Sequence, residues 1–201
     1  MERDALKYRI VYSPYAPYEV LKTNWMSYDD LRYLHRTEEV LDRYYNSGRF
    51  QHTLDYVLKE EKEPMNFYGA LGTYYKDQGF YEKSPGAKDY YRILMEFTKI
   101  WINAEGRELH FDLFNELLKF DYLLHNKKQY LPEFIERNYL PNNDLKLKLT
   151  KELGKKIHVE LYNLDIILYM ETGEIANKET PVVYDEGTGK IIKKTISILM
   201  A

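Results

Sequence analysis

The chain has 201 residues, of which 44% are hydrophobic and 30% are charged, and its formal net charge is −3. This composition is ordinary for a globular protein, and neither half has the excess of Lys and Arg that binding to a nucleic-acid backbone requires. The absence of cysteine excludes disulfides and iron–sulfur or metal centres held by thiolates of this chain. No apolar run of about 18 residues could span a membrane, and the first residues lack the order of a secretory signal. We therefore predict a cytoplasmic location, with neither nucleic acid nor membrane as a partner.

Residues 1–26 predict an extended arm. The alternation of Tyr8, Ile10 and Tyr12 favours a short extended segment. Two prolines, Pro14 and Pro17, disfavour helix in the residues that precede them. We therefore interpret residues 8–24 as an irregular arm and not as an independent element.

The arm also holds the residues that we single out as a candidate contact site: Tyr15, Pro17, Tyr18 and Trp25. Prolines stiffen such a segment, and aromatic rings then gain contact area at a small cost in conformational entropy. Two interpretations remain open. The rings cover the core of their own domain, or they contact a neighbouring domain.

Residues 27–153 predict a helical domain. Ser27 and Asp30 have the spacing of a capping box at the start of the first helix, and Gly48 is a natural end for it. Helical spacing of Leu31, Leu34, Leu41 and Tyr45 predicts its inward face. Six further helices are predicted over about 49–61, 65–78, 87–104, 107–125, 131–139 and from an Asn142–Asp144 cap to about 153.

The pattern changes in residues 154–201, which predict a small antiparallel β subdomain packed on the helices. Val159, Leu161, Ile166 and Leu168 recur with a period of two rather than 3.6. Turn sequences follow at 171–174 and 185–189, so we expect three or four strands. The predicted fold class is α+β, predominantly α-helical, with a multi-helix bundle followed by an antiparallel β-meander.

No set of residues forms a convincing active site. The five histidines have no metal-binding spacing, and His35 with Glu38 is best interpreted as a solvated surface pair. The Gly187–Gly189 stretch lacks the Lys-Ser/Thr and the following helix of a phosphate-binding loop, and we interpret it as a hairpin turn. We therefore predict no catalytic, cofactor-binding or metal-binding residue in this chain.

Two stretches nevertheless carry a family resemblance. The segment PYAPYEVLKTNWMSYDDLRYL, followed by a helix ending in YYNSGRF, resembles the region directly after the radical SAM barrel in bacterial cobalamin-binding radical SAM proteins of the Fe–S oxidoreductase family. The start, MERDALKYRIVYSPY, is similar to the exit from that barrel. The resemblance covers residues 1–60 and extends over the helical part to residue 125.

The resemblance implies a non-catalytic C-terminal accessory domain that caps the barrel or assists substrate binding. The CxxxCxxC triplet and the cobalamin module of that family are absent, so no catalytic residue carries over. The parent protein would be a radical SAM enzyme, and S-adenosylmethionine, a 4Fe–4S cluster and cobalamin would belong to it. Its barrel, in the same polypeptide or in a separate chain, would be the partner. The alternatives are a stand-alone helical module that binds a protein partner through a tyrosine-rich surface, since the chain holds 21 tyrosines, and a hydrolase or transferase with an unrecognised site.

Overall fold

The computed structural model describes residues 2–128, 130–138 and 143–192. The described residues are mostly helical, with two small antiparallel sheets, which confirms the predicted α+β class. The elements are α1 Glu2–Tyr8, β1 Val11–Tyr12, β2 Val20–Lys22, α2 Tyr28–Leu41, α3 Gln51–Val57, α4 Pro64–Asp77, α5 Phe80–Lys83, α6 Ala87–Ala104, α7 Phe111–His125, α8 Asn143–Leu153, β3 Ile157–Tyr162, α9 Ile166–Thr172 and β4 Thr180–Asp185. None of the helices in these ranges is long and apolar enough to cross a membrane.

The chain divides into two compact units, each built from segments that are distant in sequence. Unit 1 comprises Met1–Asn46 with Lys62–Pro85, and unit 2 comprises Ser47–Glu61 with Gly86–Ala201. The sequence-based division at residues 26 and 153 stays a prediction about domain organisation.

Unit 1 begins with a hairpin where an irregular arm was expected. After the short helix α1, β1 pairs antiparallel with β2, in the register Val11↔Lys22 and Tyr12↔Val20. Pro14 and Pro17 lie in the connecting loop, where no ladder hydrogen bond is required of them. The prolines therefore shape the loop and leave the flanking residues free to pair.

The helix that follows has the predicted start and a different inward face. The amide of Ser27 donates to Asp30 Oδ2 over 2.8 Å, and the amide of Asp30 donates to Ser27 Oγ over 3.2 Å, so the capping box is confirmed. The buried positions are Thr37, Val40 and Tyr44, the last in a π-helical turn over Asp42–Asn46. The prediction that Leu34 and Tyr45 point inward is wrong, because both are exposed.

The close approach of α4 explains this rotated face. A side chain at Gly72 of α4 would place its Cβ only 3.1 Å from the backbone carbonyl of Arg36 and 3.3 Å from the amide of Thr37. Glycine thus lets the two helix backbones come together, and small Thr37 lies at the contact. Periodicity in α2 alone carries no information about this glycine.

Unit 2 is organised around α7, which is buried along most of its length. Helices α3, α6 and α9 pack against it, and Leu113, Leu117 and Leu164 form one apolar cluster. The strands β3 and β4 pair antiparallel from Ile157↔Asp185 to Tyr162↔Thr180. They share a second apolar cluster with α8.

Part of the predicted strand pattern is the helix α9, so Ile166 and Leu168 do not belong to a strand. Two paired strands, β3 and β4, lie in the described part of residues 154–201, and the predicted strand residues after 192 lie outside it. The carboxylate of Asp165 accepts the amide hydrogen of Leu168 over 3.0 Å at the start of α9, and Gly173 ends it with φ at 79°. Local caps therefore decide the structure of a segment whose apolar spacing fits a strand for only a few residues. The predicted turn at 185–189 is confirmed, since the amide of Gly189 donates to the carbonyl of Asp185 and Ile192 returns to pair with Val183.

The predicted helix over 131–139 is not formed in residues 131–138. Polar groups of this segment bond to other elements instead. The amide of Asn138 donates to Glu160 Oε1 over 3.2 Å, and the side chain of Arg137 donates to the carbonyl of Lys128. Residues 139 and 142, the latter predicted as a helix cap, lie outside the described residues.

Candidate functional site

The four residues proposed as a contact site are exposed on unit 1. The exposed fractions are 79% for Tyr15, 71% for Tyr18 and 73% for Trp25, and Pro17 is exposed as well. Tyr15, Pro17 and Tyr18 lie on the loop between β1 and β2, whereas Trp25 follows β2. The four side chains therefore lie at the surface of unit 1, and their role as a contact site stays a prediction.

The hairpin holds these side chains in defined positions. Pairing of β1 with β2 fixes both ends of the loop, and the amide of Ser13 donates to the carbonyl of Glu19 over 2.8 Å. The Trp25 ring lies with its centroid 5.4 Å from that of Tyr8, so the indole packs against the Tyr8 ring. We call the exposed side chains of Tyr15, Pro17, Tyr18 and Trp25 the hairpin surface.

A second group of residues, in unit 2, was not anticipated from the sequence. Helix α7 carries the ion pair of Glu116 and Lys119, with 3.1 Å between Oε2 and Nζ and both side chains more than nine-tenths buried. Lys119 Nζ also donates to the carbonyl of Leu161 over 3.2 Å, and it lies 4.5 Å from the ring centroid of Tyr162. The amide of Asn163 donates to Glu116 Oε1 over 3.3 Å. The pair therefore joins α7 to the end of β3.

A cavity of about 520 Å³ lies beside this ion pair. Met95, Leu118, Phe134, Ile135 and Leu164 supply apolar wall, and Asp112, Asn115, Glu136, Asn163 and Asn177 supply polar wall. Glu116 and Lys119 bind each other and backbone groups of Leu161 and Asn163. Their role is therefore structural, since they hold α7 against the end of β3. The sequence does contain a signal for this ion pair, because two oppositely charged residues three positions apart interrupt the apolar pattern of α7.

The third group joins α7 to α3 through a buried carboxylate. Asp121 has no exposed surface, and its Oδ2 accepts the amide hydrogen of Thr53 over 2.8 Å and the hydroxyl hydrogen over 2.7 Å. Its Oδ1 lies 2.7 Å from His52 Nδ1 and 3.4 Å from the His52 amide nitrogen. These amides belong to the first turn of α3, so Asp121 caps a helix from 68 and 69 residues away in the chain. Such a distance explains why sequence reasoning missed it.

Within the described ranges, no group of three or more His, Cys, Asp or Glu side chains is placed to hold a metal ion. His35 and Glu38 lie on one exposed face of α2, with 3.7 Å between Nδ1 and Oε2. This is the solvated surface pair that the sequence predicted. His110 instead caps α7, because its Nδ1 accepts the amide hydrogen of Leu113 over 3.2 Å.

Glu116 should give the protein a measurable pH dependence. Burial raises the pKa of its carboxyl above the ordinary 4.5, and the opposing effect of Lys119 is smaller. Between pH 4.5 and the raised value, the folded chain holds a proton that the unfolded chain has lost, so this contribution to stability falls as the pH rises. We expect Glu116→Gln to remove that slope, so that the stability of the variant relative to wild type increases with pH across this window.

Urea unfolding at a series of pH values measures this difference. Glu108→Gln, at an exposed position, is the matched control and should follow the wild-type slope. A constant difference between Glu116→Gln and wild type would contradict the raised pKa.

A comparison with protein families places the chain. The family described as "Protein of unknown function (DUF4080)" matches residues 6–151. The chain belongs to this family. The matched residues include the hairpin surface, α3 and α7, and they stop before β3, α9 and β4. Neither the curated proteins nor the solved structures contain a match to this DUF4080 chain.

Proposed function

We propose that this chain is the non-catalytic accessory domain of a radical SAM protein, and that it docks on the barrel through the hairpin surface. The observation that carries the proposal is the exposure of three aromatic side chains, Tyr15 and Tyr18 in the loop of one short hairpin and Trp25 directly after it. The resemblance of residues 1–60 to the region after such a barrel is the reason that we propose the barrel as the partner. In this proposal, S-adenosylmethionine, the 4Fe–4S cluster and cobalamin belong to the partner, and the accessory domain caps the barrel or assists substrate binding.

The physical properties of the hairpin surface suit docking. Tyrosine and tryptophan bury a large area while they immobilise only two side-chain torsions, so their association costs little conformational entropy. The strand pairing that brackets the loop limits its freedom before any partner binds. Exposed rings in this number are also unusual for a simple linker, which would be polar or rich in glycine.

Loss of an anchoring ring should weaken docking more than folding. We expect Tyr18→Ala and Trp25→Ala each to reduce the affinity for the barrel by roughly 1–2 kcal/mol or more, as truncation of aromatic anchors does. Because both side chains are exposed, the loss in unfolding free energy should stay near the few tenths of a kcal/mol typical of surface positions. Titration calorimetry against the radical SAM barrel protein of the same organism measures the first quantity, and urea unfolding measures the second.

Tyr130→Ala provides the control, because Tyr130 is 56% exposed but lies in unit 2, away from the hairpin in sequence. It should leave the affinity unchanged. Unchanged affinity in both hairpin variants would remove the docking role. A loss of about 3–5 kcal/mol in unfolding free energy would instead place the rings in the interior of the domain.

A second candidate function is a stand-alone module for protein–protein interaction. It is favoured by a groove on unit 1 whose apolar wall is formed by Leu31, Leu34, Leu41 and Met65, and whose other lining residues are His35, Thr37, Glu38, Asp42 and Asn46. Leu34→Asp separates the two functions. If the chain is an accessory domain, the variant binds the barrel with wild-type affinity. If the chain is a stand-alone interaction module, neither wild type nor variant binds the barrel, and the variant no longer binds the protein partner that wild type binds.

A further inference from the structure

His52 is held in a fixed orientation by two neighbours on α7. Its Nδ1 lies 2.7 Å from Asp121 Oδ1, and its ring meets the Phe120 ring edge to face, with centroids 4.9 Å apart. The side chain is nevertheless 31% exposed. The ring is therefore held through Nδ1 while part of the side chain stays accessible.

The hydrogen bonds around Asp121 determine which nitrogen of His52 carries the proton. The Asp121 carboxylate already accepts hydrogens from Thr53, through both its amide and its hydroxyl group. A carboxylate has only acceptor sites, so Nδ1 must be the donor in the short contact with Oδ1. In the neutral imidazole, Nε2 is then left as a hydrogen-bond acceptor.

This ring lines a mostly apolar cavity of about 300 Å³ between α3, α7 and α9. Phe120 and Leu124 contribute from α7, Ile167 and Met170 from α9, and Ile191 from the segment after β4, while Glu171 adds a second polar side chain. An apolar cavity with very few polar groups is the usual form of a small-molecule site, since the apolar wall gives affinity and the polar groups give orientation.

We propose that this cavity binds a small aromatic molecule with one hydrogen-bond donor, and that His52 Nε2 accepts that bond. The apolar walls favour an aromatic ring, and the acceptor nitrogen favours an N–H or O–H group over a bare hydrocarbon. The molecule is not an anion, because the described wall contains one carboxylate, that of Glu171, and no lysine or arginine. The proposal does not depend on docking to a barrel.

Indole and benzofuran test this proposal as a matched pair of probes. They have the same bicyclic shape, but the N–H of indole is replaced by an ether oxygen in benzofuran. A net hydrogen bond of about 0.5–1.5 kcal/mol makes indole bind roughly two- to twelvefold more tightly. Titrations of the full-length ¹⁵N-labelled chain, followed by amide and histidine-ring chemical shifts, give both affinities and show whether the His52 Nε2 signal moves.

Two variants distinguish the contribution of the His52 ring to binding from that of the cavity as a whole. His52→Phe keeps an aromatic ring against Phe120 and removes the acceptor, so the two probes should bind equally. Ile167→Trp fills the cavity and should abolish binding of both probes. An exposed histidine, His35→Phe in α2, is the control and should preserve the difference between the probes.

The proposal predicts a preference for indole in wild type, its loss in His52→Phe and the loss of all binding in Ile167→Trp. It is overturned if wild type binds neither probe, if it binds both equally, or if His52→Phe retains the preference. Unchanged binding in Ile167→Trp would place the probes elsewhere on the chain and also overturn it. Amide spectra of each variant verify that unit 2 remains folded during the titrations.

Discussion

Replacement of Asp121 with alanine is expected to lower the free energy of unfolding by about 3–5 kcal/mol, one of the two largest effects that we predict. The side chain is completely buried and receives four contacts from two consecutive residues of α3. Alanine would leave the amide and hydroxyl of Thr53 without acceptors in the interior. Each buried donor without a partner costs about 1–3 kcal/mol, and the costs are not additive.

Asp121→Asn should lower the free energy of unfolding by less than Asp121→Ala does, but it should not restore the wild-type value. The amide side chain has the shape of aspartate, but it offers one acceptor oxygen and one NH₂ group. The NH₂ group would face donors from His52 or Thr53, depending on its orientation. We expect the loss to be about half that of the alanine variant, because one of the two acceptor oxygens remains.

Fluorescence can report on unit 2 alone if Trp25 is first replaced with phenylalanine, which leaves the buried Trp101 as the single tryptophan. Urea unfolding of Asp121→Ala in that background gives the stability. The matched control is Asp112→Ala, at an exposed position in the first turn of α7, where the loss should be only a few tenths of a kcal/mol. Equal losses at the two positions would contradict the capping role of Asp121.

Lys119→Met is expected to cost about 3–5 kcal/mol, because it leaves the Glu116 carboxylate buried without its counter-charge. Methionine has nearly the length of lysine, so little packing volume is lost. The penalty should shrink as the pH falls. Burial already raises the pKa of Glu116, and Lys119 acts against that increase. Without the lysine the carboxyl therefore takes up a proton more readily and becomes neutral.

The double variant Glu116→Gln with Lys119→Met tests whether the uncompensated charge is the cause. Glutamine can still accept the hydrogen of the Asn163 amide that Glu116 now binds, so the main remaining defect is the carbonyl of Leu161, which loses its donor. We expect the double variant to recover most of the loss, with about 1–2 kcal/mol remaining. Lys99→Met, at an exposed position in α6, is the control. A double variant as unstable as the single one would show that lost packing, and not charge, causes the effect.

The sequence by itself determined those features that depend on neighbours within a few residues. The Ser27–Asp30 capping box, the end of α8 before Gly154 and the turn at 185–189 are each encoded by residues within a stretch of at most five positions. The long amphipathic helices α6 and α7 follow from a sustained 3.6-residue period, which has enough repeats to exclude a strand. The predominantly helical α+β class follows from these local signals.

Only the tertiary structure decided which helix faces are buried and where the charges lie. The inward face of α2 depends on Gly72 of α4, and the burial of Asp121 depends on an open helix end more than 60 residues earlier in the chain. Short segments such as α9 and the β1–β2 hairpin hold too few residues for periodicity to distinguish helix, strand and loop, so caps and pairing partners determine them. The physical reason is the same in each case. Burial and hydrogen-bond partners are properties of the folded chain, and a sequence pattern records only the neighbours that a residue has along it.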